Sequence, residues 1–149
     1  MIRLADHLAP ARVIDLKSRS KDAALMELVQ TLATAHEVKD AERLLAAVLD
    51  RERIVSTGIG LGVAVPHAKI PEVSEFLIAY GRSKEGIDFG SIDDRPVHHI
   101  VLIVGPPDRQ QRYLQFLATV TLKLKQPALC KALEDAADAA ALHVVLSNE

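Results

Sequence analysis

Between Ser56 and His67 the chain reads Ser56-Thr57-Gly58-Ile59-Gly60-Leu61-Gly62-Val63-Ala64-Val65-Pro66-His67, three alternate glycines followed by a short apolar run that proline stops. Alternate glycines remove helix propensity and open backbone conformations closed to other residues. Pro66 disfavours the helical region at Val65 and biases it toward an extended form. The middle of the chain therefore reads as a loop feeding a short strand, with His67 just past its end.

Helical and strand patterns alternate around this segment, which implies an α/β domain. Val13 to Leu16 reads as a short strand. Ser20 is placed to cap a helix from Lys21 to about Ala35, with Leu25, Leu28, Val29 and Leu32 on one stripe. A second helix starts after Asp40 and runs to about Arg51 or Glu52, with Ala41, Leu44, Leu45 and Val48 facing inward. Phe76 to Tyr80 and Val97 to Val104 read as strands, the latter apolar enough to lie centrally in a sheet. Gly105-Pro106-Pro107 breaks it. Asp108, three residues before Gln111, suggests a capping box for a helix reaching about Lys125. Its stripe is Tyr113, Phe116, Leu117, Val120 and Leu124. Pro127 ends that helix, and Ala128 to Leu133 and Asp138 to Leu146 read as two more.

At 149 residues the chain has the length of one domain, with no repeat or linker to divide it. Eighteen basic and twenty acidic side chains leave a net charge of −2, so no basic footprint for nucleic acid is expected. No apolar run approaches the ~20 residues needed to cross a bilayer. The start carries charge and His7 where a leader would be apolar, so the cytoplasm is the expected location. Cys130 is the single cysteine and reads as a small buried hydrophobe.

Five of the six histidines have ordinary readings. His7, His36 and His143 lie singly in polar or helical surroundings. His98 and His99 are adjacent in a strand and point to opposite faces, so they do not share a metal, and a zinc site is not expected. One of the two facing a reactive site stays open. His67 differs because it follows the glycine-rich segment. It reads either as a structural loop residue or as a nucleophile. A neutral imidazole can attack phosphorus at pH 7 and form a covalent intermediate. Backbone N–H groups of the glycine turn, with Arg51 and Lys69, can balance phosphoryl charge. Other phosphate motifs fail. No Gly-Lys-Ser/Thr triplet opens a helix, and after Gly58 and Gly60 the third dinucleotide glycine is replaced by Val63.

Arg51-Glu52, followed by the segment from Ser56 to His67, resembles the active-site signature of the enzyme IIA domains of the phosphoenolpyruvate-dependent sugar phosphotransferase system. The branch is the fructose/mannitol type, which includes the nitrogen-regulatory enzymes IIA. Gly86-Ile87-Asp88-Phe89, Ile92-Asp93 and Pro96-Val97 extend the likeness, which spans nearly all of residues 1–149. It implies a single-domain α/β sandwich with a mixed central sheet flanked by helices, without a cofactor.

The resemblance also implies that His67 is the phosphorylated residue and Arg51 holds the phosphoryl group. Ser56, Thr57 and Gly58 would lie in the same pocket. Arg51 also reads as a helix-terminal charge, Ser56 and Thr57 as turn residues, and Lys69 as a solvated surface lysine. The family commonly carries a second histidine early in the long helix. Tyr113 stands there, able to donate a hydrogen bond but not to carry positive charge. The implied donor is a histidine phosphocarrier protein. Downstream, the absence of fused membrane and enzyme IIB domains and the Ile87 to Val97 segment favour regulatory target proteins. Transfer to an enzyme IIB for fructose or mannitol uptake is the alternative. A binding module that has lost phosphotransfer is a third.

Overall fold

Val97–Gly105 (β6) is apolar and nearly all buried, and the rest of the sheet assembles on its two edges. The structure, a computed structural model, describes residues 2–33 and 38–148. On one edge β5 (Leu77–Ile87) runs antiparallel to β6, and β1 (Val13–Asp15) lies parallel beyond it. On the other edge, β3 (Val63–Ala64) and β4 (His67–Lys69) both pair in parallel with β6, and β2 (Gly58–Gly60) closes the sheet antiparallel to β3. The result is a mixed sheet of six strands.

Alternation along β6 supplies both cores, because successive side chains leave opposite faces. Ile100, Leu102 and Val104 pack with α1 (Lys21–Leu32) and α2 (Ala41–Ile54). Val101 and Ile103 pack with α3 (Gln110–Leu124), α4 (Pro127–Asp135) and α5 (Ala139–Ser147). No helix among the described residues is long and apolar enough to cross a membrane.

The expected caps form at Ser20 and Asp40, and Asp138 caps the last helix as well. Ser20, Asp40 and Asp138 accept the N–H groups of Ala23, Arg43 and Ala141 at 3.3, 3.1 and 2.9 Å. The first helix is described to Leu32, and the expected end at Ala35, with His36, lies outside the described residues. The capping box at Asp108 does not form. The helix begins at Gln110, which makes Arg109 the cap residue, and Arg109 makes no side-chain cap bond. β5 is longer than the expected Phe76 to Tyr80, because Arg82 pairs with both β1 and β6 and the strand continues through an irregular stretch to the Ile87 pair with Val97.

Arg82 is the largest of the fully buried side chains. Its Nε and Nη2 each donate to Asp15 at 2.7 Å, and Nη1 donates to the carbonyls of Leu133 and Ala136 at 2.8 and 2.6 Å. The guanidinium thus ties β1 to the last turn of α4, and its bonds hold the Asp15 carboxyl below the usual carboxylate range. Asp15→Asn leaves a buried cation uncompensated and is expected to cost about 3 kcal/mol, read as a lower urea midpoint at unchanged slope. The wild-type advantage is present above the unfolded-chain value near about 4. It fades as pH falls through the lowered folded value.

Candidate functional site

His67 opens β4 rather than following a strand in a loop. Pro66 explains the difference. It has no N–H for the ladder, so the extended segment is interrupted at Val65-Pro66 and resumes at His67 on the same edge of β6. The Pro66 carbonyl still accepts the Ile103 N–H at 3.0 Å, which holds the register across the gap. Ala68 points into the core beneath α1 and α2, so His67 and Lys69 face the opposite layer.

The His67 ring is half-buried, with Nδ1 3.0 Å from the Val65 carbonyl oxygen. A carbonyl only accepts, so Nδ1 carries the proton and Nε2 holds the free lone pair. Burial lowers the imidazole pKa, and Arg51 and Lys69 lower it further, against the Val65 bond and Glu52. The ring is therefore neutral and nucleophilic near pH 7.

A cavity of about 500 Å³ opens beside the ring, lined by His67, Ala68 and Lys69 of β4, Ala47 and Arg51 of α2, and Gln110, Tyr113, Leu114 and Leu117 of α3. The site draws on both helical layers because β4 lies on the sheet edge, where α2 reaches around it. Arg51 also donates from Nη1 to the Val55 carbonyl at 3.2 Å, so it caps the end of α2 as well as lining the cavity. Tyr113 meets the His67 ring edge-on, with centroids 5.3 Å apart and planes at 85°. Its hydroxyl is buried and has no hydrogen-bond partner among the described residues. Burial raises the phenol pKa, so it stays a neutral donor.

Ser56, Thr57 and Gly58 do not line this cavity. The Ser56 hydroxyl donates to the Phe89 carbonyl at 2.7 Å and accepts the Gly58 N–H at 3.1 Å. The Thr57 hydroxyl and N–H both go to the Glu52 carboxylate. A Cβ on Gly58 would sit 2.9 Å from Ser91 Cβ, so glycine there permits close packing. Gly60 and Gly62 carry φ of +91° and +78°, the left-handed turn that only glycine adopts without strain.

One residue that matters here was given no role from the sequence. Glu52 is buried, accepts from Thr57, and pairs with Lys21 Nζ at 2.7 Å. The signal was present, since Leu44, Val48 and Glu52 continue one inward stripe at i, i+4 and i+8. Lys69, expected as a solvated surface lysine and as a source of positive charge, is exposed and also lines the cavity, because in a strand i and i+2 share a face. Neither His98 nor His99 lines the cavity. His98 Nδ1 donates to the Ser83 carbonyl at 2.8 Å. His99 lies 2.8 Å from the Tyr80 hydroxyl, and burial pushes its pKa down to about 4. His143 Nε2 donates to the Leu8 carbonyl at 3.0 Å, and His7 stacks edge-on against Phe116. Half-buried Cys130 donates to the Leu124 carbonyl, and burial raises its pKa.

Residues 10–149 match the family described as "Phosphoenolpyruvate-dependent sugar phosphotransferase system, EIIA 2". The chain is 34% identical over 123 residues to the PTS system fructose-specific EIIABC component of Bacillus subtilis, covering 83% of this chain and 19% of that longer protein. It is 32% identical over 147 residues to the nitrogen regulatory protein of Bradyrhizobium diazoefficiens, covering 97% of this chain and 94% of that one. The crystal structure of nitrogen regulatory protein IIA-Ntr from Neisseria meningitidis superposes with a TM-score of 0.88 at 24% identity, covering 96% and 98% of the two chains. That last likeness is one of fold.

The electrostatics of the ring can be read by NMR titration. His67 is expected to titrate below the usual histidine value of about 6.5, and Arg51→Ala is expected to raise that midpoint by removing a nearby cation. A His67 midpoint that stays put or falls in Arg51→Ala contradicts this description.

Proposed function

The chain belongs to the EIIA type 2 family of the phosphoenolpyruvate-dependent sugar phosphotransferase system, and from that premise we propose that it is a phosphocarrier whose His67 accepts a phosphoryl group through Nε2. The observation that carries this reading is the Nδ1–H bond to the Val65 carbonyl, which leaves Nε2 as the only free ring lone pair, beside a cavity walled by Arg51. The donor is a histidine phosphocarrier protein in the cytoplasm, and the chemistry needs no cofactor.

In the transfer, the Nε2 lone pair attacks phosphorus as the P–N bond to the donor histidine breaks. The Nδ1 proton stays in place, and the Val65 carbonyl stabilises the positive charge the ring acquires. Return transfer reverses the same bonds, with neutral imidazole as the leaving group. Arg51 offers a planar guanidinium to the phosphoryl oxygens, and the unpartnered Tyr113 hydroxyl offers a neutral donor. The chain is mainly asked for position and charge compensation, which phosphoryl transfer chiefly requires. Ser56, Thr57 and Gly58 support the site by holding the segment that carries Val65.

A nitrogen-regulatory role, with phosphorylation state reported to target proteins, is supported by the near full-length match to the Bradyrhizobium protein. A second reading, donation to an enzyme IIB during fructose uptake, is favoured by the slightly higher identity to the Bacillus component. Rapid onward transfer to an enzyme IIB selects the second.

The test incubates the protein with phosphoenolpyruvate, enzyme I and the histidine phosphocarrier protein, then takes an intact mass under alkaline conditions. One added phosphoryl group is expected in the wild type and none in His67→Ala. Arg51→Ala is expected to fold and to be phosphorylated roughly 100-fold more slowly. With active upstream proteins, no added mass overturns the reading in favour of a binding module without phosphotransfer. Label retained in His67→Ala moves the site elsewhere.

A further inference from the structure

We propose that Lys69 is a catalytic residue of this site, its ammonium binding an oxygen of the phosphoryl group on His67. The proposal rests on the phosphocarrier reading and deepens it, since no role for Lys69 follows from the family signature.

Three placements carry it. Lys69 follows His67 by two residues in β4, so strand alternation sends both side chains into the same cavity. Its Nζ lies 4.9 Å from the centroid of the Tyr113 ring, the ring whose plane also meets His67 edge-on. It donates to the side-chain carbonyl of Gln110 in the first turn of α3, so the exposed lysine bridges β4 and α3 across the mouth of the cavity. Among the described residues, no carboxylate pairs with it.

Charge balance gives the placement a meaning. The other nearby cation, Arg51, also lacks a carboxylate partner among the described residues, because its neighbour Glu52 is turned inward onto Lys21 and Thr57. The site thus holds two positive charges with no anion between them. A phosphoryl group on Nε2 carries two negative charges, and Tyr113, neutral at pH 7, contributes a hydrogen bond but no charge. Arg51 from α2 and Lys69 from β4 together match the dianion. A lysine suits the mobile half of this pair, since its flexible stem can leave the Gln110 carbonyl and the aromatic face for an incoming oxygen. Both contacts are weak enough to be exchanged for a charge-assisted bond.

A small donor separates this chemistry from protein docking. Phosphoramidate transfers its phosphoryl group directly: the Nε2–P bond forms, the P–N bond of the donor breaks, and ammonia leaves. Wild type, Lys69→Met, Lys69→Arg and the remote surface control Lys125→Met are incubated with phosphoramidate, and His67 phosphorylation is followed by intact mass. Folding is checked by circular dichroism. Lys69→Met is expected to react roughly 10- to 100-fold more slowly, Lys69→Arg to recover most of the rate, and Lys125→Met to match wild type. In the phosphorylated proteins, the phosphorus NMR titration of the phosphoryl group is expected to move up by about one pH unit in Lys69→Met, through loss of an adjacent cation.

A folded Lys69→Met with wild-type rate and wild-type phosphoryl titration overturns the role of Lys69 and leaves the phosphocarrier reading standing. A slow Lys69→Met whose phosphoryl titration is unchanged also overturns it, because the lysine then acts without touching the phosphoryl group. Wild type that takes no phosphate on His67 from phosphoramidate or from the protein donor overturns both.

Discussion

Glu52 sits buried at the inner face of α2 with its carboxylate bound on two sides, by the Lys21 ammonium and by the N–H and hydroxyl of Thr57. A carboxylate withdrawn from water is costly unless its oxygens are paired, so this group fixes whatever satisfies it. It fixes Thr57. The Thr57 carbonyl then accepts the Val65 N–H at 3.0 Å, which sets the peptide plane of Val65 and aims its carbonyl at His67 Nδ1. A continuous series of hydrogen bonds therefore runs from α1 through α2 and the glycine segment to the imidazole. The tautomer of His67, and with it the nucleophilic nitrogen, is a consequence of a buried charge several residues away.

The sheet edge supplies the second constraint. A histidine in a central strand would be covered on both sides and shut off from a partner. β4 pairs on one side only, so His67 is half-buried: dry enough to stay neutral, open enough to meet a large donor. Pro66 makes this possible by splitting the edge strand without losing register against β6. The same edge position lets α2 and α3, which belong to opposite layers, place Arg51 and Tyr113 around one ring.

The helices were legible because their stripes are regular: Leu25, Leu28, Val29 and Leu32, and likewise Tyr113, Phe116, Val120 and Leu124, are buried where a 3.6 period puts them. The central strand was legible from its apolar run from Ile100 to Val104. Less was legible where polar residues serve the backbone rather than the solvent. Arg82 continues β5 because strands on both sides pair with it, and the strand resumes pairing at Ile87, a fact of tertiary context that no local pattern records. In the candidate site, His67 and Arg51 were visible from the signature and Tyr113 from the place of the family's second histidine, and the structure brings them around one cavity. The hydroxyls of Ser56 and Thr57 were placed by resemblance in the pocket but are held by Phe89 and Glu52. Lys69 was legible as an exposed cation, but its sharing a face with His67 was not, since a loop has no fixed face and a strand does.

The central claim is that hydrogen bonding from Nδ1 to Val65 directs phosphate to Nε2 of His67. It is tested most directly by phosphorylating protein labelled with nitrogen-15 in histidine and measuring nitrogen–phosphorus coupling together with ring tautomer by NMR. The account predicts coupling at Nε2 of His67, with Nδ1 protonated both before and after transfer. Coupling at Nδ1, or at any other side chain, contradicts it.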